Sequence, residues 1–541
     1  MLCVFCCACY FVSCNSDKKG KGKKVVISTA PGAHEFATKL STIFVPVDTP
    51  GKKQLNHIAD NMRYAYQLNE YAPIWLKDGK PGDAAEKLIT ALQDTYNDGL
   101  DTNKYKISVL RKLLTEANIN QHTERQITLD TSLTYAYLQA SHDLLFGTVS
   151  SKSVDTLWFH ANDSTWAAPE LLAKRDDKFP SLDAYRSKLP TYAMMRSDFK
   201  HYSQLKSDST LIAAIDEAGS ISNYSSPDSA QQFSVSYIIK TELPWLKSLT
   251  DNNAENIKQM VSNYQYYMDV KATGKPDSFT IARLTRSPDE ILGELKINME
   301  RARWMQQEVG NLYIVIDVPA MELFFRKDGM DVMHMNTVVG KLERQTPSIG
   351  ANMANVVINP PWGVPPTILK KDVLPGITKS GKKYLAKKGL KVYDHKGNNV
   401  DAGKVNPKNY KNYVYKQDPG DDNSLGYVKF NLPNPWDIYM HDTPHRDDFT
   451  KRNRFLSSGC VRLQRPQDMA LYILGDLEKK RYTQDRLDSV ISTHKTRWEI
   501  LKNKIPVHIV YLTNFEDTNG RHLRYLRDIY GRDERLIKAM K

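Results

Sequence analysis

Cysteine is almost absent from the body of this 541-residue chain. Five of its six cysteines fall within the first fourteen residues, and the rest of the chain holds a single one, Cys460. One thiol can neither build an intrachain disulfide framework nor supply the several ligands of a cysteine-based zinc or iron–sulfur site. Both classes of protein are therefore excluded for the body of the chain.

Long apolar runs are missing as well. The apolar run at residues 2–12 (LCVFCCACYFV) is too short for a transmembrane helix, which needs about 20 residues, and resembles the apolar core of a bacterial export signal. Residues 11–14 (FVSC) resemble a lipobox, and the lysine-rich stretch 15–24 that follows is typical of a flexible tether. The alternative is an ordinary buried segment. We expect an exported protein of the cell envelope or periplasm, lipid-anchored through Cys14.

Charge and composition define the class of the remaining chain only broadly. Lys and Arg number 75 against 62 Asp and Glu, and the net charge of +13 favours an anionic partner. Apolar residues make up 41% and charged residues 25%, which indicates packed domains rather than wholesale disorder. At roughly 150 residues per domain, the length predicts three or four domains.

Helical periodicity dominates the first half of the chain and strand periodicity the second. Residues 83–98 and 127–146 carry apolar side chains at helical spacing, and a capping box at Ser287–Glu290 begins a helix expected to end near Gln307. From about residue 310 the pattern alternates instead. Strands are expected at 312–318, 322–326, 331–339 and 506–512. The predicted fold class is multidomain α+β, mainly helical first and mostly β afterwards.

A lysine- and glycine-rich segment, about 365–417, interrupts the β-rich part. Eight lysines fall between residues 370 and 391. Two interpretations stay open: a solvated charged face, and a flap that holds an anionic substrate over a site. Under the second interpretation, we expect trimming of 370–391 to weaken substrate capture more than folding.

His441 and Cys460 are the candidate catalytic residues. His441 follows a strand-like triplet, and Cys460 follows nineteen residues later, directly after two serines and a glycine. An adjacent imidazole lowers the pKa of a thiol from about 8.5 toward neutrality and so makes it a nucleophile. We expect Asp442 to orient the imidazole, either through its carboxylate or through its backbone carbonyl.

Small and basic residues around the thiol predict how a substrate is held. The backbone N–H groups of Gly459 and Cys460 can approach a substrate carbonyl and form an oxyanion hole. Arg462 can contribute positive charge or bind a substrate carboxylate. Tyr439 either lines the substrate cleft or packs into the core.

These residues resemble the motif of the L,D-transpeptidase family, His-x-Thr followed after a gap by Ser-x-Gly-Cys, an aliphatic residue and Arg or Asn. Here it reads His441-Asp442-Thr443 and, over residues 457–462, SSGCVR. Ser458 stands where many members carry a second histidine, a substitution typical of the large subtype. That subtype has a helical scaffold, a peptidoglycan-binding-like module and an inserted capping loop. Further similarity covers 298–304, 339–347, 359–366 and 417–433.

The resemblance implies a domain order. We expect a lipoprotein-type signal (1–14), a tether with a short strand (15–50), a helical scaffold (51–199) and a peptidoglycan-binding-like helical module (200–285). A connecting helix (286–308), an L,D-transpeptidase catalytic domain (309–516) with a capping insertion at about 365–417, and a basic C-terminal segment (517–541) should follow.

It also implies a reaction. Cys460 would attack the carbonyl of the third residue of a peptidoglycan stem peptide, while His441 would take the thiol proton and pass it to the leaving amine. Transfer to a second stem gives a 3→3 cross-link, and transfer to water gives L,D-carboxypeptidase activity. The implied substrate-binding residues are Gly459, Ser458, Arg462, Thr443 and Tyr439. No cofactor, metal or nucleic acid is implied; the partners are donor and acceptor stems and carbapenem-type inhibitors that acylate Cys460, bound by a monomer.

Other readings of the sequence lead to different functions. One is a non-enzymatic wall-binding lipoprotein that keeps the catalytic fold as a scaffold, and another is a protein that attaches a polypeptide to the wall. A papain-like cysteine peptidase would place its cysteine before its histidine, whereas here His441 precedes Cys460.

Overall fold

The computed structural model describes residues 31–44, 57–116, 122–160, 165–174, 179–224, 228–248, 254–305 and 309–541. Cys14 and the expected export signal lie outside these residues. Within the described ranges, no helix combines the length and the apolar character needed to cross a membrane.

The first helical unit surrounds one long, buried helix. Its helices are α1 (Pro31–Ile43), α2 (Ile58–Leu68), α3 (Asp83–Asp94), α4 (Ile107–Thr115), α5 (Thr123–Phe146), α6 (Ser151–Val154) and α7 (Ala168–Ala173), with a small hairpin of β1 (Leu76–Lys77) and β2 (Lys80–Pro81). Asp130 on α5 accepts hydrogen bonds from the backbone N–H groups of Ile74 and Trp75, at 2.9 and 2.7 Å. This buried carboxylate fixes the chain segment that enters the hairpin.

Helix α1 corrects one sequence expectation. Residues 31–43 were expected to belong to a tether with a short strand, yet they form a helix. Phe36 and Leu40 are spaced by one helical turn, and both are buried in the core of the first helical unit. Burial of this apolar face stabilises the helix. The remainder of 15–50 falls almost entirely outside the described residues.

A second set of helices leads into the sheet. It comprises α8 (Pro190–Leu205), α9 (Ser209–Gly219), α10 (Ser229–Glu242), α11 (Ala254–Tyr267), α12 (Ser278–Leu284) and α13 (Pro288–Arg303). The capping box predicted at Ser287 is confirmed, and α13 ends at Arg303, before the expected Gln307. Glu300 on α13 accepts from the backbone N–H groups of Thr148 and Val149, at 2.5 and 2.7 Å. Helix α13 is therefore tied directly to the first helical unit.

The second half of the chain forms a nine-stranded sheet around a large core. Its strands are β3 (Leu312–Asp317), β4 (Glu322–Lys327), β5 (Met330–Gly340), β6 (Ile349–Ile358), β11 (Val428–Asn431), β12 (Met440–His441), β13 (Phe455–Ser457), β14 (Val461–Leu463) and β15 (Arg497–Val510). The order is β13-β5-β14-β12-β11-β6-β15-β3-β4, and an additional pairing of β4 with β5 joins the two ends. The face of this sheet opposite the core is called the outer face below.

Short elements complete this half. Helices α17 (Pro466–Leu471), α18 (Gln484–Ser492) and α19 (Asp533–Ala539) accompany a hairpin of β16 (Asn514–Glu516) and β17 (Leu523–Tyr525). Residues 517–541, expected as a basic tail, thus contain a paired strand and a helix, and Tyr525 and Leu536 are buried.

The lysine-rich insertion is a folded capping subdomain with a small core of its own. Its elements are β7 (Trp362–Gly363), α14 (Pro366–Ile368), a π-helical turn (Leu369–Val373), α15 (Leu374–Ser380), α16 (Lys382–Lys387), β8 (Lys391–Tyr393), β9 (Asn399–Val400) and β10 (Val414–Gln417). The core residues include Val373, Ile377, Leu385 and Leu390. All eight lysines between 370 and 391 are exposed. Because 370–391 supplies half of this core, deleting it would remove packing as well as charge.

Candidate active site

His441 ends β12, and Cys460 directly precedes the neighbouring parallel strand β14. Strand β12 pairs with β14 so that Met440 lies beside Val461 and His441 beside Arg462. Met440 and Val461 are fully buried in the core. Because side chains alternate along a strand, His441 and Cys460 both lie on the outer face. Pairing of β12 with β14 thus brings together two residues that are nineteen positions apart in sequence.

A tight turn positions the thiol. Ser457 donates a hydrogen bond from Oγ to the carbonyl of Cys460 at 2.6 Å and accepts one from the N–H of Gly459 at 3.1 Å. Thr346 Oγ1 donates to the carbonyl of Gly459 at 2.8 Å. Gly459 has a φ of +117°, a conformation that favours glycine. The N–H of Gly459 is thus engaged inside the turn, and its expected oxyanion-hole role stays a prediction that requires this bond to open.

The imidazole of His441 is held in one tautomer. Its Nδ1 lies 2.5 Å from the carbonyl oxygen of Asp442. A carbonyl oxygen only accepts, so Nδ1 carries the proton and the lone pair of Nε2 remains available to act as a base. Burial, the positive charge of Arg462 and that of Lys429 lower the pKa of His441 to about 3, despite the opposing bond to Asp442. The ring is therefore neutral near pH 7.

The carboxylate of Asp442 has other partners. It accepts hydrogen bonds from the N–H of Tyr427 at 2.9 Å, the N–H of Thr443 at 2.8 Å and Nη1 of Arg446 at 2.9 Å. Of the two orienting modes expected for Asp442, the structure has the backbone carbonyl. Thr443 is buried, and its hydroxyl accepts from the N–H of His445 at 3.2 Å. Both residues hold the turn that follows His441.

The thiol environment corrects a second expectation. Burial raises the pKa of Cys460, although the Tyr439 backbone and side chain and the charges of Lys429 and Arg462 oppose this shift. The sequence argument expected an imidazole to lower that pKa. It fails because a neutral His441 supplies no positive charge and burial penalises the thiolate. Cys460 is half-buried, and its Sγ donates to the carbonyl of Asp437 at 3.7 Å.

Lys429 is a site residue that sequence reasoning missed. It lies on β11 directly opposite His441, and its Nζ is 4.0 Å from the centre of the Tyr439 ring. Burial lowers the pKa of Lys429, and the negative charge of a Cys460 thiolate opposes that shift. Alternation in 428–431 (VKFN) places Lys429 on the outer face, but only the strand order reveals that this face carries the thiol.

Tyr439 is the aromatic neighbour of the thiol and Arg462 a basic one, and the structure defines some of the contacts of each. Burial raises the pKa of Tyr439 well above its usual value, and its hydroxyl contacts the side chains of Cys460 and Trp362. Tyr439 therefore lies at the site, as the cleft-lining alternative expected. Arg462 donates from Nη1 to Asp448 at 3.1 Å, whereas its Nε has no partner among the described residues. Burial lowers the pKa of Arg462.

Ser458 links the nucleophile loop to the capping subdomain. Its hydroxyl accepts from Nη1 of Arg344 at 2.8 Å. The same guanidinium donates two hydrogen bonds to Asp372 of the capping subdomain, at 2.5 and 2.6 Å. Arg344 and Asp372 were not identified from the sequence, because neither lies in the motif. In the described residues, no group of three or more His, Cys, Asp or Glu side chains is arranged to hold a metal ion.

Comparisons with known proteins identify the two main parts of the chain. Residues 60–198 match the scaffold domain model, and residues 311–478 match the model of the L,D-transpeptidase catalytic domain, YkuD. These matches define a multidomain chain with a helical scaffold domain followed by a domain of the L,D-transpeptidase catalytic type. Residues 311–478 are therefore similar to the catalytic domain of L,D-transpeptidases.

Individual relatives are more distant. A Haemophilus influenzae protein named "Putative L,D-transpeptidase" is 29% identical over 300 residues, which cover 54% of this chain and 58% of that protein. An L,D-transpeptidase structure from Mycobacterium smegmatis has 15% identity over 37% of this chain and 58% of its own, with a TM-score of 0.19. The structure of the Ldtfm–avibactam carbamoyl enzyme has 12% identity, coverage of 48% and 81%, and a TM-score of 0.18.

Proposed function

We propose that this protein is a peptidoglycan L,D-transpeptidase that forms 3→3 cross-links through an acyl-enzyme on Cys460. The observation that carries the proposal is the position of His441 at the end of β12 and of Cys460 at the start of the adjacent parallel strand β14, on one face of the sheet. A neutral His441 whose Nε2 lone pair is available can act as a general base, whereas an imidazole that is already protonated cannot. The catalytic domain supplies the reaction class.

The first half of the reaction forms a thioester. Sγ of Cys460 attacks the carbonyl carbon of the third stem residue as Nε2 of His441 takes the thiol proton. The tetrahedral intermediate collapses with cleavage of the C–N bond to the terminal D-Ala. The imidazolium of His441 then passes this proton from Nε2 to the leaving amine. Lys429 and Arg462 offset the developing thiolate charge before attack.

The second half transfers the acyl group. The side-chain amine of a second stem attacks the thioester carbonyl, its proton passes to Nε2 of His441, and the Cys460 thiol is restored. Arg462 is proposed to bind a stem carboxylate, since it lies beside His441 and its guanidinium bonds Asp448 through Nη1, while its Nε has no partner among the described residues. The exposed lysines of the capping subdomain are proposed to attract the anionic stems. The lipid anchor at Cys14, the location in the envelope and the monomeric state belong to the same proposal.

Product analysis tests the reaction. Purified enzyme incubated with a disaccharide tetrapeptide should release D-Ala and form a dimer whose fragmentation shows a link between two third residues. The variant Cys460→Ala should yield neither product while keeping the wild-type circular dichroism spectrum. Release of D-Ala with tripeptide as the sole product would instead establish L,D-carboxypeptidase activity. Folded protein that binds peptidoglycan but releases no D-Ala would support the non-enzymatic wall-binding alternative and refute the proposal.

A further inference from the structure

Two exposed hydrophobic side chains lie side by side near the start of β15. Trp498 and Ile500 are 59% and 72% exposed, whereas Glu499 and Leu501, which alternate with them, are buried. The buried pair anchors the strand through its inner face. Folding therefore does not require an indole and an isoleucine next to each other in water. Adjacent exposed apolar groups on a rigid strand are typical of binding surfaces.

The register of the sheet places Trp498 in one row with the catalytic histidine. Trp498 pairs with Val357, Val357 with Lys429, and Lys429 with His441. Paired residues on adjacent strands share a face. Trp498 and His441 therefore both lie on the outer face, and the same row continues to Arg462.

A second row runs parallel to the first. Ile500 pairs with Asn355, and Asn355 with Asn431. Tyr439 and Cys460 continue this row, because they directly precede the paired residues Met440 and Val461. From β14 to β15 there are four strand spacings, or ~19 Å at about 4.8 Å per spacing. A ligand that contacts both ends of such a row must be extended over about the same length.

The middle of the second row is polar and uncharged. Nδ2 of Asn431 donates to Oδ1 of Asn355 at 2.7 Å, and both side chains are half-buried. A side-chain amide has up to four hydrogen-bonding positions, and this bond uses one from each. The row therefore offers amide donors and acceptors next to an exposed indole, with no ionic partner between Tyr439 and Ile500.

An extended peptide added as a further strand does not fit this place. One edge of β15 pairs with β6 here. On the other edge, Glu478 accepts from the N–H of Lys502 at 3.0 Å, and Lys480 donates to the carbonyl of Ile500 at 2.6 Å. The N–H of Lys502 and the carbonyl of Ile500 are therefore not available to an added strand. The charged partners for the carboxylates of a stem peptide, Lys429 and Arg462, lie in the first row, whereas the second row has none.

We propose that the outer face from Tyr439 to Trp498 binds the glycan strand of peptidoglycan while the attached stem peptide reaches Cys460. A chain of N-acetylated sugars presents flat C–H faces that can stack on an indole, together with amide and hydroxyl groups that pair with asparagine amides. This inference rests on the proposed function, because it identifies the polymer that the same site would recognise.

The test compares one reaction on two donors: a free stem tetrapeptide and the same stem carried on a glycan oligomer. The variant is Trp498→Ala combined with Ile500→Ser. We expect the ratio of kcat/KM for the glycan-linked stem to kcat/KM for the free stem to fall at least about tenfold, in line with the loss of one well-packed aromatic contact. The control Tyr135→Ala removes an aromatic that is 43% exposed on α5 of the first helical unit, and should leave the ratio unchanged.

Direct binding gives a second readout. A soluble oligomer of N-acetylglucosamine, titrated into wild-type protein, should bind saturably and lose its affinity in the double variant. An unchanged kcat/KM ratio, an equal loss on both donors, or no saturable binding by the wild type would each overturn the glycan assignment. Failure of the proposed function itself looks different: the wild-type enzyme would then turn over neither donor.

Discussion

Replacing Arg344 by methionine removes the guanidinium that joins the capping subdomain to the loop before Cys460. Arg344 donates two hydrogen bonds to Asp372, at 2.5 and 2.6 Å, and one to Ser458 at 2.8 Å. Hydrogen bonds to charged groups contribute about 1.5–3 kcal/mol each when buried. Arg344 is 8% exposed, but Asp372 is 41% exposed, so solvent screening reduces this value. We expect a loss of about 1–3 kcal/mol in the docking free energy of the capping subdomain.

Hydrogen exchange measures this docking directly. A loss of that size shifts the opening equilibrium by roughly 5- to 150-fold, and amides in 366–387 and 455–460 should lose protection by that factor. Amides of β3, on the far side of the sheet, should keep their protection, because the sheet core does not depend on Arg344. We also expect kcat/KM to fall, since Ser458 precedes the nucleophile by two residues.

The control is an ion pair of the same subdomain that is exposed. Lys391 and Asp418 are 53% and 54% exposed, and Lys391→Met should leave the protection of the capping subdomain at the wild-type level. If Arg344→Met leaves the capping subdomain as protected as the wild type, the contact does not hold the subdomain. Equal loss of protection in β3 would show instead that Arg344 supports the whole domain.

Three further predictions concern the immediate surroundings of the site. Lys429→Met should raise the pKa of the Cys460 thiol, since a positive charge near the thiolate is lost. The pH profile of alkylation by iodoacetamide should shift to higher pH, and Lys429→Arg should restore the wild-type profile. Gly426→Ala should destabilise the protein by about 1–3 kcal/mol, because a Cβ there would lie 2.4 Å from Oδ2 of Asp442 and the residue has a φ of +58°. The control Gly363→Ala should keep the wild-type Tm, because no atom lies within 4 Å of the added Cβ. Burial lowers the pKa of His508 in the folded protein to about 4, whereas the unfolded chain takes up this proton below about pH 6.5. Acidification should therefore remove the stability that the neutral form of His508 contributes, and the unfolding free energy should fall between pH 6.5 and 4. The drop in Tm between pH 7 and 5 should be smaller in His508→Phe, and an equal drop in both proteins would contradict the assignment.

Local rules predicted the elements whose signals are local. Ser287, Pro288 and Glu290 lie within four residues of one another, and the helix they begin starts where expected. The strands at 312–317, 322–327 and 330–340 also follow from alternation and a tight turn. Strand β15 begins at Arg497, nine residues before its predicted start, because Lys502, Asn503 and Lys504 interrupt the alternation at an irregular pairing.

The site was only partly predictable for a physical reason. His441 and Cys460 stand in a recognisable motif, whereas Lys429, Arg344 and Asp372 reach the site only through strand order and the docking of the insertion. The thiol pKa depends on burial, which no sequence pattern encodes. In the insertion, an irregularly spaced set of apolar residues was hidden among exposed lysines, so its small core was not anticipated.

The central claim, an acyl-enzyme on Cys460, is tested most directly by the intact mass of the protein after incubation with a carbapenem. The account predicts one adduct per wild-type chain, none in folded Cys460→Ala, and strongly slowed formation in His441→Gln, which lacks the base. An adduct that persists in Cys460→Ala, or a folded wild-type protein that forms none, would contradict it.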